Sequence, residues 1–282
     1  MCRFVAYLGP AISIDTLTTL PAHSIVKQSY RAKERAEPLN GDGFGVAWYA
    51  PGHESQAAVY RAVTPAWNDE NLLSIARVSK SQCIFAHVRA ASPGLGVSPF
   101  NCHPFTADAL TFMHNGYVAG FNRLKRPLMD GLSDERWRSV RGTTDSEVLF
   151  AVCREFLTRM DGPPQERFRD ALAATVGRVE ELSRELGVEE PHQLNLALTD
   201  GTSLAVTRYR STEPETANSL YLHEGRNYVC VGGVCRMIEP DETGGAVLVA
   251  SERLIDDDGW VRVPPNHVVV VDPGRSPTLT PL

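Results

Sequence analysis

Met1-Cys2-Arg3-Phe4-Val5-Ala6-Tyr7 opens the chain. After the cysteine the run is mostly apolar, and it reads as a buried strand that starts beside the first side chain able to do chemistry. Loss of Met1 would leave Cys2 with a thiol nucleophile and a free α-amine on one residue. An amine titrating near pH ~8 is a suitable base for that thiol at neutral pH. Methionine is trimmed when the next side chain is small, and Cys qualifies. Taken alone, a second-position cysteine is more simply read as a small inert hydrophobe, so the remaining sequence has to decide.

Composition narrows the classes. The 282 residues are 43% hydrophobic and 22% charged, enough for a sizeable core, and they are read as a single domain spanning 1–282. The formal charge of -6 comes without a block of Lys and Arg, which gives no electrostatic footprint for nucleic acid. The short basic stretch from Arg31 to Arg35 is broken by Glu34 and reads as a solvated loop. Six cysteines (Cys2, Cys83, Cys102, Cys153, Cys230, Cys235) are scattered without a C-x-x-C pair, poor spacing for a metal site or a disulfide framework. Free thiols in a reducing cytoplasm are expected, with no metal and no cofactor. No leader pattern and no apolar run of about twenty residues is present, so no membrane partner is expected.

As far as Gly120 the pattern is of short strands: Cys2 to Leu8, Gly43 to Tyr49, Ala57 to Ala62, Cys83 to Val88 and Leu110 to His114. A helix is expected over Asp69 to Ser79. The loop from Ala91 to Pro104, rich in Pro, Gly and Ser, lies between two strands and is long enough to shape a site. Thr144-Asp145-Ser146-Glu147 matches a capping box, so a helix should start near Asp145. A second helix is expected from Gln165 to Leu186, after the breaker Asp161-Gly162-Pro163-Pro164. Strands then return at Leu194 to Leu198, Leu204 to Tyr209, Tyr228 to Gly232, Ala246 to Ala250 and His267 to Val271, with Asp200-Gly201 as a hairpin turn. Strands, then helices, then strands argue for sheets covered by helices in an α+β fold.

Four clusters carry chemically useful groups: Asn40 to Gly45, His87 to Ser92, His114-Asn115-Gly116 and Thr143 to Glu147. Each has a plain structural reading. Asn40 to Gly45 and Asn115-Gly116 are turn compositions, Arg89 at a strand end suits a surface ion pair, and Asp145 suits a helix N-terminus. Together with Cys2 they satisfy a set of chemical needs. A thiolate attacking a side-chain amide needs an oxyanion hole, which an Asn side chain beside a Gly amide can supply. A free amino-acid end needs a fork for its α-carboxylate and an acid for its α-ammonium, which Arg89 and Asp145 offer.

An N-terminal Cys after Met, Asp42-Gly43-Phe44-Gly45, His87-Val88-Arg89-Ala90-Ala91-Ser92, His103-Pro104-Phe105, His114-Asn115-Gly116 and Thr144-Asp145-Ser146-Glu147, in this order, resemble the class II glutamine amidotransferases of the Ntn-hydrolase superfamily. The resemblance covers most of residues 2 to 160. It implies a four-layer αββα sandwich with Cys2 at the start of a central strand. By the same resemblance Cys2 is the nucleophile and its amine the base, with Asn115 and Gly116 forming the oxyanion hole. Arg89 with Ser92 would hold the substrate α-carboxylate, and Asp145 the α-ammonium. His87 and His103 are given supporting or structural places, and Asp42 is expected to fix its glycine turn. The implied reaction is cleavage of a γ-glutamyl amide through a thioester on Cys2, releasing glutamate.

Many members of that family carry a second catalytic domain, whereas here the residues after the motifs read as completing the same sandwich. Met1-Cys2-Arg3 with Tyr7-Leu8-Gly9, His23-Ser24, Gln28-Ser29 and Ser251-Glu252 resemble two stand-alone branches, the γ-glutamyl hydrolase of ergothioneine biosynthesis and a glutathione-degrading branch. Pro21 to Ile25, Asn40 to Gly45 and Asn101 to Phe105 lean toward the second, some members of which act with a peptidase-like partner. Two alternatives stand beside the hydrolase: a glutaminase subunit that feeds ammonia to a separate synthase, and a non-catalytic binding protein on the same sandwich. A homodimer is a further arrangement the resemblance admits.

Overall fold

The structure, a computed structural model, describes residues 2–35, 37–50, 52–53, 55–91, 96–239 and 245–282. In chain order the strands are β1 (Arg3–Ser13), β2 (Phe44–Trp48), β3 (Ala58–Ala62), β4 (Lys80–Val88), β5 (Phe105–Ala107), β6 (Leu110–Tyr117), β7 (Gln193–Thr199), β8 (Leu204–Arg208), β9 (Tyr221–Gly225), β10 (Asn227–Val231), β11 (Val234–Ile238), β12 (Ala246–Ala250), β13 (Val261–Arg262), β14 (His267–Val271) and β15 (Pro277–Pro281). The α-helices are α1 (Asp15–Thr18), α2 (Ile25–Arg31), α3 (Glu70–Val78), α4 (Phe121–Asp130), α5 (Asp134–Ser139), α6 (Asp145–Leu157) and α7 (Pro164–Leu186).

Two antiparallel sheets lie face to face. The first has the order β13-β9-β12-β1-β4-β2-β3 and the second β15-β14-β8-β7-β6-β5. Alternation along single strands shows why. In β1, Phe4, Ala6 and Leu8 point into the layer between the sheets, where Met113, Ala197 and Val206 also lie. Val5 and Tyr7 point the other way, into a cluster with Leu17, Ile25, Leu72 and Ala76 of α1, α2 and α3. Side chains two apart share a face, so one strand with both faces buried serves two cores. The second sheet repeats the arrangement, with Phe112, Leu194, Leu196 and Leu198 packed on Val148, Leu149, Leu172 and Val179 of α6 and α7. Helices, sheet, sheet, helices is the four-layer αββα sandwich, with β1 in the interior of its sheet between β12 and β4.

The expected strands and the three expected helices are present, with β12 and β14 at the expected bounds. The first strand is longer than its apolar run, reaching Ser13. Helices α1, α2, α4 and α5 were not anticipated; α4 carries Pro127 within it, a residue that ordinarily argues against a helix interior. Strands β5, β9, β11, β13 and β15 were likewise unread, being short or interrupted by polar residues. One expectation is overturned outright. Cys230 and Cys235 face each other in the β10–β11 hairpin and are joined in a disulfide, a pairing set by hairpin register and not by a C-x-x-C spacing. Among the described residues Cys2, Cys83, Cys102 and Cys153 are free. No helix of the described residues is long and apolar enough to cross a membrane.

Candidate active site

Register builds the site. β4 pairs Val88 with Arg3 on one side and with Phe44 on the other. One step further along the same register sets Cys2 and Gly43 on either side of Arg89. The Arg89 amide donates to the Gly43 carbonyl at 2.8 Å, and the Asp42 amide donates to the Arg89 carbonyl at 3.0 Å. The Cys2 thiol, half-buried, donates to the Ala90 carbonyl at 3.7 Å. The Asp42 carboxylate accepts the Ala91 amide at 2.8 Å, so it braces the chain just beyond Arg89.

Arg89 is buried, with 3% of its surface exposed. One terminal nitrogen donates to the Asp42 carbonyl at 3.4 Å, and the other is buried with no partner among the described residues. A buried guanidinium nitrogen without an acceptor is costly. An acceptor brought to that nitrogen would relieve the cost.

Asn115 and Gly116 read from sequence as a turn, but they lie within β6, opposite Asn195 and Leu194 of β7. Glycine is required at 116 by close approach, because a Cβ there would overlap the Gln193 carbonyl of β7. His114, one residue earlier, bonds the same carbonyl through Nε2 at 3.0 Å and the Ser146 hydroxyl through Nδ1 at 3.0 Å. The buried Asn115 amide donates from Nδ2 to Ser251 Oγ at 3.2 Å, and its Oδ1 has no partner among the described residues.

Asp145 is the first residue of α6. Its Oδ1 accepts the Ser146 amide at 2.8 Å and its Oδ2 accepts the Val118 amide at 2.8 Å, which ties the helix start to the end of β6. The capping box forms by half. Thr144 Oγ1 accepts the Glu147 amide at 3.3 Å, but the Glu147 carboxylate turns to the Arg141 and Gly142 amides at 2.9 and 2.5 Å.

His87 and His103 stack at 4.1 Å between ring centres, and His87 Nε2 reaches the His114 carbonyl at 3.1 Å across the two sheets. Burial pushes His87 down to about 3, against the opposing hydrogen bond to the His114 carbonyl. Burial likewise holds His103 well below the ordinary range. Both rings are therefore neutral near pH 7. Ser92 lies outside the described residues, as does Met1.

Groups to which the sequence reading gave no role complete the surroundings. The Glu252 carboxylate accepts Arg3 Nε and His23 Nε2, each at 2.6 Å, and the amides of Lys33 and Glu34 at 2.8 and 3.1 Å. Burial alone would raise its pKa, but the His23 hydrogen bond, the Arg3 charge and the Lys33 amide outweigh it and hold the group at about 2. Arg3 also donates to the Cys2 carbonyl at 2.9 Å and to the Glu34 carbonyl at 3.0 Å. The 31–35 segment is thus more than a solvated loop. Its backbone is fastened to Glu252, and the Arg35 side chain folds inward against Asn40 with only 7% of its surface exposed. Among the described residues no cluster of His, Cys, Asp and Glu could hold a metal ion.

An αββα sandwich whose central strand begins just after a cysteine, with a buried arginine across from that cysteine in the register, is characteristic of a class. The family of class-II glutamine amidotransferases matches residues 12–281, and the chain belongs to it. Among curated relatives it is 36% identical, over 96% of its length and 82% of the relative's, to a probable glutamine amidotransferase of Saccharomyces cerevisiae named DUG3. It is 29% identical to the gamma-glutamyl-hercynylcysteine sulfoxide hydrolase of Mycolicibacterium smegmatis, over 96% of both chains. Among solved structures, a glutamine aminotransferase class-II domain protein from Silicibacter pomeroyi superposes with a TM-score of 0.67 at 26% identity, covering 100% of this chain and 99% of that one. Glutamine phosphoribosylpyrophosphate amidotransferase from Bacillus subtilis gives 0.62 at 14% identity over 49% of its length, a likeness of fold alone.

Proposed function

We propose that this protein is an amidohydrolase of a γ-glutamyl amide bond, in glutamine or in a γ-glutamyl-substituted amine or peptide, working through a thioester on Cys2. The placement of the Cys2 thiol beside an arginine with an unpartnered buried nitrogen carries the reading. The two curated relatives, one named a glutamine amidotransferase and the other a γ-glutamyl hydrolase, support it. Residues 1–282 act as one domain in this reading, since the layer between the sheets joins Phe4 near one end to Val271 near the other.

The steps follow from the groups present. With Met1 removed, the Cys2 α-amine takes the thiol proton as Sγ attacks the γ-carbonyl carbon. The oxyanion that forms is met by the Asn115 side chain and the Gly116 amide. The carbon–nitrogen bond breaks as the ammonium returns the proton to the leaving nitrogen, giving an amine or ammonia and a γ-glutamyl thioester. Water then adds to the thioester while the amine accepts its proton. The thiol is restored and glutamate leaves. Arg89 binds the α-carboxylate of the glutamyl end as an ion pair, and the Asp145 carboxylate receives the α-ammonium. Neutral His87 and His103 fill the interior behind Arg89 and take no proton at neutral pH. Asp42 holds the turn and the strand end that carry Arg89.

The test is glutamate release from glutamine and from a series of γ-glutamyl peptides. Cys2→Ala is expected to keep the melting temperature of the parent and to lose turnover on every substrate, and turnover retained by this variant would refute the mechanism.

A further inference from the structure

Directly after β12 stand two buried residues, Ser251 and Glu252, that the steps above do not use. Ser251 is bonded to β1 twice: its amide donates to the Phe4 carbonyl at 2.9 Å, and its Oγ accepts the Phe4 amide at 3.1 Å. The Ser219 hydroxyl fixes its carbonyl at 2.7 Å. The same Oγ lies 3.2 Å from the Asn115 side chain. One hydroxyl therefore joins the strand of the nucleophile to the amide on the opposite sheet.

Hydrogen counting gives this contact a direction. An amide can be placed either way round by a half-turn of its terminal torsion. With Nδ2 on Ser251, the buried Oδ1 is left without a donor among the described residues, at a cost of about 1–3 kcal/mol. With Oδ1 on Ser251, the hydroxyl hydrogen is donated to Oδ1 while its lone pair still receives the Phe4 amide. Nδ2 then points away from Ser251 as a free donor. In the first arrangement one of the two amide hydrogens is committed to Ser251, whereas the second leaves both for a developing oxyanion.

Glu252 acts on the other partner. Its four donors leave the carboxylate no freedom, and they include Arg3, whose guanidinium also holds the Cys2 carbonyl. Fixing that carbonyl restricts rotation about the Cα–C bond of Cys2 and so sets the direction in which its α-amine, the proton acceptor, points.

We propose that Ser251 and Glu252 are positioning residues, Ser251 setting the Asn115 amide with its nitrogen toward the reacting carbonyl and Glu252, through Arg3, setting the orientation of Cys2. This rests on the γ-glutamyl amidohydrolase reading, and the experiment separates the two. Steady-state constants for a γ-glutamyl amide that the parent protein cleaves are compared for Ser251→Ala, Ser251→Thr and Glu252→Gln, each checked for folding by thermal melting. Ser251→Ala is expected to lower kcat by about a hundredfold and to leave KM within about threefold; Ser251→Thr, which keeps the hydroxyl, recovers most of the loss. Glu252→Gln is expected to lower kcat by about tenfold at unchanged KM, on the scale of a lost orienting contact. Should Ser251→Ala not fold, Ser251→Cys, which offers only a weak donor, takes its place with the same expectation. Unchanged kcat in folded variants, a loss wholly in KM, or a folded Ser251→Thr as inactive as Ser251→Ala overturns the positioning role while the hydrolase reading stands. A parent protein that cleaves no γ-glutamyl amide overturns both.

Discussion

At Arg89 the unpartnered nitrogen makes a sharp expectation for substitution. If it pairs with a carboxylate, Arg89→Ala removes binding that is present in ground and transition states alike, so KM should rise by at least about thirtyfold while kcat changes little, equivalent to about 2 kcal/mol of a charge-assisted contact. A loss confined to kcat would place the arginine elsewhere in the reaction. The buried histidines make a second expectation, through proton linkage. His87 is held at about 3 against an ordinary 6.5, and His103 and His114 are also held down by burial, in His114 against the opposing charge of Asp145. As pH falls below about 6.5 the unfolded chain takes up protons that the folded chain refuses, so stability is full above that value and declines toward about 3, by up to about 1.4 kcal/mol per pH unit for each ring. Urea unfolding at pH 7 and pH 5 reads this directly, and stability that rises on acidification would contradict it. At this scale the sequence singled out Cys2, Arg89, Asn115 and Asp145 because each carries its own chemistry; the register sets Cys2 across from Arg89, and Arg89 and Asn115 are buried, while their parts in the reaction belong to the proposal. Ser251-Glu252 was noticed only as part of a resemblance, and what it touches was not legible, because Phe4, Asn115 and Arg3 lie more than 130 positions away and are brought close by the pairing of β12 with β1 and the apposition of the two sheets. The contacts of His23, Lys33 and Glu34 with Glu252 were opaque for the same reason.

Among elements, α6 connects local sequence to the site most plainly. Thr144 caps it and Asp145 opens it, but Glu147 reaches back past the cap to 141 and 142, so the cap rests on the threonine alone. Thr144→Ala should lower unfolding free energy by about 1 kcal/mol, measured by urea denaturation; no loss would mean that tertiary contacts hold the helix start. The β10–β11 hairpin bears on an expectation that failed. Composition and spacing argued for free thiols throughout, because cross-strand disulfides are set by register, and β11 was not read as a strand. Alkylation of the protein unfolded without reductant should label four cysteines, and after reduction six, matching the single bridge among the six. Six labels before reduction would remove the bridge. Helix α4 escaped notice because Pro127 breaks the sequence signal, while packing of Leu124 and Leu128 on the second sheet's helical layer holds it in place.

For the molecule as a whole, period-two alternation is what made the sandwich readable. Strands such as β1, β7 and β14 bury both faces, so their sequences point to covered sheets, but which sheet each joins is decided by pairings that no local pattern encodes. The layer between the sheets holds Phe4 and Met113, each next or close to a site residue. Met113→Ala should therefore destabilise the protein by about 2–5 kcal/mol, and through β6 should disturb Asn115 as well. The central claim is narrower: Cys2, freed of Met1, carries the glutamyl group. Intact-mass measurement of the purified protein, quenched in acid during turnover of a γ-glutamyl amide, tests it most directly. The account predicts a chain lacking its first methionine and a transient adduct of one glutamyl group that maps to Cys2 and is absent from Cys2→Ala. Turnover by a chain that retains Met1, or an adduct on any other residue, would contradict it.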